Sequence, residues 1–76
     1  MSESLTLTHL DRGDCATIVG LDAGIDLYHR LSALGLRVGT SVRVIRRARF
    51  AGPLHVRVGT TELMLRIPEA RRVRVR

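Results

Sequence analysis

Hydrophobic and polar positions change their spacing several times along the chain, and each change predicts an element. Leu5, Leu7 and Leu10 alternate with Thr6 and Thr8 as a short extended entry segment does, and Asp11-Arg12-Gly13-Asp14 then supplies a turn. Cys15 to Leu21 is a short apolar run with β-branched members between two aspartates, a length that favours a strand over a helix. Gly20 within it marks a bulge or a close backbone approach. From Ile25 the spacing becomes three to four: Ile25, Tyr28, Leu31 and Leu34, with Leu27 and Ala33 beside them, form one face of a helix. Asp22 or Gly24 bounds that helix at its start, and Gly35 stops it. So short a helix is marginal alone and must dock its leucine face on a sheet.

Strand spacing resumes at Ser41 and runs to Arg47, and Gly52-Pro53 signals a turn before the next strand. Leu54, Val56 and Val58 alternate with His55 and Arg57. Gly59-Thr60 is a second tight connection, after which Leu63, Leu65 and Ile67 alternate with Glu62, Met64 and Arg66. Pro68-Glu69-Ala70 makes a short helical turn, and Val73 and Val75 alternate with Arg72, Arg74 and Arg76 in a last strand. Five short strands with one inserted α-helix cannot lie flat without exposing edges, so the pattern predicts a mostly β fold, a small curled barrel forming one domain over residues 1–76.

Composition narrows what that barrel can do. Aromatic residues are 3% of the chain, Tyr28 and Phe50 with no Trp, so the core is aliphatic and a base-stacking platform is disfavoured. The single cysteine, Cys15, can close no internal disulfide and is expected as a small buried hydrophobe. His9, His29 and His55 stand singly, without metal-ligand spacing, and no metal or cofactor is expected. Seven dispersed acids and no nucleophile motif argue against an enzyme. Gly35-Leu36-Arg37-Val38-Gly39 lacks the lysine and hydroxyl of a phosphate loop and follows a helix instead of opening one, which makes it a cap and a turn. No apolar stretch is long enough to span a bilayer and no secretory leader is visible, so the expected location is the cytoplasm.

Net charge is +6, the sequence pI is about 11.5, and all thirteen basic residues are arginine. Such a balance invites nucleic acid, an acidic protein face or anionic lipid. Arg43, Arg57, Arg66 and Arg74 fall at the outward phase of their strands and read as a solvated exterior. Arg46, Arg47 and Arg49 are clustered at one loop, where they can clamp carboxylates or phosphates. The exposed part of the helix, with Leu27, Tyr28, His29 and Arg30, mixes apolar and basic groups as protein-binding surfaces do.

Several passages taken together resemble the FeoA family, the small cytosolic partner of the bacterial ferrous-iron permease. They are Arg30-Leu31-x-x-Leu34-Gly35-Leu36-x-x-Gly39, then Val42 and Val44, then Gly52-Pro53-Leu54-x-Val56, then Leu63-x-Leu65-Arg66-x-x-Glu69-Ala70. Leu7-x-x-Leu10-x-x-Gly13 and Ile18-Val19-Gly20 resemble the family's opening, so the likeness covers nearly the whole chain. Val38 and Arg49 stand where the family often has proline. The resemblance implies an SH3-like barrel and a non-enzymatic accessory role in ferrous iron uptake, through contact with the cytosolic part of the permease FeoB. Tyr28, His29, Arg30, Arg46, Arg47 and Arg49 are the expected contact residues; Leu31, Leu34, Gly35, Leu36, Gly39, Gly52 and Pro53 are expected to be structural.

Two other readings stay open. A basic barrel of this kind can bind nucleic acid through arginine–phosphate contacts. FeoA-like modules also occur at the C-terminus of metal-dependent repressors, although no helix-turn-helix is visible here. The chain's oligomeric state, a homo-oligomer included, is left undetermined by the pattern.

Overall fold

The computed structural model describes residues 5–50 and 52–76. In chain order it contains β1 (Leu5–Thr6), a 3-10 turn (Leu7–His9), β2 (Cys15–Leu21), α1 (Ile25–Ala33), β3 (Ser41–Arg47), β4 (Leu54–Val58), β5 (Thr61–Leu65), α2 (Ile67–Ala70) and β6 (Val73–Val75). The strands form one antiparallel sheet in the order β1-β6-β2-β3-β4-β5. The fold is mostly β as the spacing predicts, with six strands in place of five. The sixth arises because the entry segment pairs Leu5 with Val75 and Thr6 with Arg74 before it turns.

β2 makes the sheet curl, because its two halves pair with different neighbours, β3 along one edge and β6 along the other. Cys15, Ala16 and Thr17 pair with Arg43, Val42 and Ser41 of β3, whereas Ile18, Gly20 and Leu21 pair with Val75, Arg74 and Val73 of β6. The changeover lies at Thr17 and Ile18. Thr17 exchanges two 3.0 Å backbone bonds with Arg76, while the Ile18 N–H donates to Thr40 O at 2.9 Å and Gly39 N–H donates to Ile18 O at 2.7 Å. The register with β6 shifts between Ile18 and Gly20, and a Cβ at position 20 would collide with the Arg74 guanidinium. Both expectations for Gly20, a bulge and a close approach, hold there.

Alternation sends one side of each strand inward. Ile18, Val42, Val44, Leu54, Val56 and Leu65 are buried, joined by Leu7 from the 3-10 turn, Leu31 from α1, Leu36 after it and Ala70 from α2. No buried side chain among the described residues is polar. With rings absent from this core, close packing rests on branched aliphatic side chains.

α1 docks by a narrower stripe than the spacing predicts. Leu31 is buried and Leu27 packs against the core, but Ile25, Tyr28 and Leu34 are 73%, 44% and 42% exposed. On an α-helix Leu27 and Leu31 are only about 40° apart, while Tyr28 and Ile25 lie about 60° and 120° from Leu31. Ile25 opens the helix and Leu34 is its C-cap residue, so both also overhang its ends. Cys15 is corrected as well: it is exposed, at the start of β2 opposite Arg43. The apolar run it belongs to packs against the core from Ala16 and is fully buried at Ile18. Ile67, expected in the fifth strand, instead opens α2, because the Glu69 carboxylate accepts the Arg66 N–H at 3.0 Å and caps a helical turn there.

Gly35 sits in the left-handed region, φ 102°, where the chain leaves α1, and Leu36 N–H returns to Leu31 O at 3.0 Å. Gly35→Val is therefore expected to lower unfolding stability by about 1–3 kcal/mol in denaturant titration, and Gly35→Asn by less, since asparagine tolerates that conformation.

Candidate functional site

Arginine and acid are unevenly distributed. Between Asp26 and Glu62 the chain carries seven arginines and no aspartate or glutamate. Three acids outside that run are paired with basic side chains. Glu62 is hydrogen-bonded by Arg57 and lies 2.8 Å from His55 Nε2, Glu69 pairs with Arg30, and Asp22 Oδ2 lies 2.8 Å from Arg74 Nε. Arg57 first and His55 second hold the Glu62 carboxyl below its ordinary range.

The loop joining β3 to β4 carries the basic cluster. Ala48 N–H donates to Pro53 O at 3.2 Å and Gly52 N–H to Arg49 O at 3.1 Å, so the tip is a tight turn. Arg46, Arg47 and Arg49 are all exposed, but they do different things. The Arg47 guanidinium donates to Thr8 O at 2.9 Å and Leu10 O at 2.5 Å, tying the 3-10 turn to the end of β3. Arg46 and Arg49 have no ion-pair partner among the described residues. Gly52 and Pro53 belong to the same turn.

Phe50 occupies its apex at 98% exposure with φ 57°. The sequence pattern does not single Phe50 out. An aromatic residue carries no signature of positive φ, and its place among arginines beside Gly52-Pro53 was the only available signal.

Tyr28, His29 and Arg30 form the second group, on the outer side of α1. The Tyr28 and His29 rings meet edge to face with centroids 5.9 Å apart, and Arg30 is turned toward Glu69. No hydrogen bond or ion pair joins this group to the loop among the described residues. A Cβ at Gly35 would meet Val58, at one end of β4, whereas the loop begins where Arg47 pairs with Leu54 at the other.

Two shallow clefts complete the surface. One, about 360 Å³, is lined by Asp22, Pro68, Arg71 and Arg72; the other, about 260 Å³, by Cys15, Ser41, Arg43, Arg57 and Gly59. No three of His, Cys, Asp and Glu converge as metal ligands among the described residues. His9 is occupied in the entry turn, its Nδ1 accepting the Thr6 N–H at 2.9 Å.

Comparison with known proteins identifies the fold. The family model for the FeoA domain matches residues 5–76. The chain belongs to the FeoA family. Its structure superposes on that of an iron uptake regulatory FeoA with a TM-score of 0.88 and 26% identity, covering 97% of each chain. The FeoA of Stenotrophomonas maltophilia, a prokaryotic SH3-domain protein solved in complex with zinc, is 34% identical with a TM-score of 0.82, over 95% of this chain and 89% of that one. A manganese-dependent transcriptional repressor shares the fold at TM-score 0.87 and 23% identity, all of this chain matching 37% of the repressor. No curated protein matches the sequence. The SH3-like architecture implied by the FeoA resemblance is thus the architecture found.

Within this FeoA fold the arginines separate by role. Arg47→Ala is expected to lose about 1–2 kcal/mol of stability as its two carbonyl bonds disappear, while Arg46→Ala and Arg49→Ala stay within about 0.5 kcal/mol; thermal melting distinguishes them. The Glu62 contacts add a pH dependence. With its folded pKa depressed, they stabilise fully above the ordinary glutamate value and are lost as pH falls through the lowered one. The stability difference between the parent and Glu62→Gln is therefore present at neutral pH and vanishes in acid.

Proposed function

We propose that this chain is a non-enzymatic accessory protein of ferrous iron uptake that acts by contact with the cytosolic part of the ferrous-iron permease. The family match over residues 5–76 carries the reading. Arg46 and Arg49 on the β3–β4 loop, with Tyr28, His29 and Arg30 on α1, are the contact residues, and Arg47 holds the loop in place behind them. Support comes from their chemistry: the exposed Arg46 and Arg49 guanidinium groups, without ion-pair partners among the described residues, suit carboxylates on a partner, and an exposed Tyr beside His and Arg suits an interface rim.

Iron transport needs no residue of this chain to bind the ion, since an accessory protein changes the permease through differential contact with its states. No helix among the described residues is long and apolar enough to cross a membrane.

Nucleic acid is the competing partner, favoured by the acid-free run of arginines. Affinity capture from iron-limited cells with and without nuclease separates the two. Nuclease-resistant recovery of the permease is expected. In the same capture, the double charge reversal Arg46→Glu, Arg49→Glu is expected to reduce permease recovery about tenfold or more at unchanged melting temperature. Undiminished recovery would remove the loop from the interface.

A further inference from the structure

Phe50 is placed at a cost that the fold does not recover. Its φ of 57° is a left-handed conformation that bulky residues rarely adopt, and at 98% exposure its ring makes almost no contact in return. The turn itself would be better served by glycine. Close by in the chain, Arg46 and Arg49 are exposed without ion-pair partners among the described residues, and no acid lies within the whole stretch from Leu27 to Thr61.

We infer that the tip of the β3–β4 loop is a membrane-surface anchor: Phe50 enters the headgroup region of an anionic phospholipid bilayer while Arg46 and Arg49 lie against lipid phosphates. Two features select this occupant. A protruding ring with nothing beside it is a probe and not a platform; a base or peptide needs walls to stack between, whereas a bilayer closes around what enters it. The electrostatics also match a uniformly negative plane. An acid-free arginine stretch complements it without side-chain-by-side-chain pairing, each arginine near the surface strengthening binding about fivefold.

The anchor shares Arg46 and Arg49 with the proposed permease contact and adds Phe50 to them, and it is tested apart from that contact because it operates on lipid that contains no protein. The test is co-sedimentation of the full chain with vesicles of phosphatidylcholine and phosphatidylglycerol in equal parts, compared with phosphatidylcholine alone. Binding to the anionic vesicles that weakens with salt is expected. Phe50→Gly should reduce partitioning about tenfold or more while leaving the melting temperature unchanged or higher, which excludes misfolding as the cause. Arg49→Ala should reduce it about fivefold.

The parent chain contains no tryptophan, so Phe50→Trp is a clean reporter whose emission should shift to the blue on adding anionic vesicles. Absence of vesicle binding, or vesicle binding indifferent to Phe50→Gly, would overturn the proposal. So would retention of a single-stranded oligonucleotide through Phe50 by a chain that ignores vesicles. Loss of vesicle binding in Phe50→Gly with permease capture intact would confirm that Phe50 serves the lipid contact and not the permease contact.

Discussion

Everything in this fold depends on the division of β2 between two neighbours. A seven-residue strand that gives its first half to β3 and its second to β6 bends the sheet at Thr17 and Ile18 and brings the chain's end against its beginning. Ile18 is the pivot, with its side chain fully buried and its backbone bonded to Gly39 and Thr40. The bulge at Gly20 is the local consequence. Removing the side chain there opens a slot on the outer surface, and Arg74 fills it while pairing with Asp22. Curling also explains how so few large side chains make a core: a bent sheet closes over one layer of leucines and valines, with α1 and the 3-10 turn covering what remains.

Most of this was readable before any coordinates because the local signals agree with the global fold. Strand boundaries at Cys15, Ser41 and Leu54 follow alternation and turn chemistry, and α1 begins and ends beside the glycines the pattern points to. What escaped were features that depend on three-dimensional context. Periodicity identifies that α1 has an apolar face but not how wide a stripe the sheet will accept, so Ile25 falls on that face by spacing yet lies outside, and Tyr28, placed by spacing on the same face and by chemistry in the contact surface, is exposed too. Cys15 looked buried because its run is apolar, yet pairing with Arg43 sets its side outward. Alternation indicates an extended entry segment, but that it pairs as a strand depends on the edge that β6 offers.

The candidate surface was legible in a different proportion. A cluster of arginines in a loop is visible in any sequence, but which of them is free depends on carbonyl groups thirty-seven and thirty-nine residues away, and Arg47 alone reaches Leu10 and Thr8. Pairing explains part of the remainder. Glu62, Glu69 and Asp22 draw Arg57, Arg30 and Arg74 into ion pairs, and, of the described residues, Arg43, Arg46 and Arg49 on β3 and the loop after it are among the arginines left without one. Net charge alone gave the sign of the partner; the distribution of acids determines where that charge acts.

Both aromatic residues lie outside the core, and that placement has a physical meaning in a chain this small. Rings bury more area than any other side chain, and a domain of 76 residues has little stability to spare. A sequence selected for stability alone would put Tyr28 and Phe50 inward and leave aliphatic or polar residues at the helix flank and the loop tip. Tyr28 still recovers part of that loss through packing along α1 and its contact with His29, as a rim residue does. Phe50 recovers almost none, and it adds backbone strain. Conditions inside the fold therefore do not account for Phe50, and the compensating interaction belongs to whatever surface the loop meets.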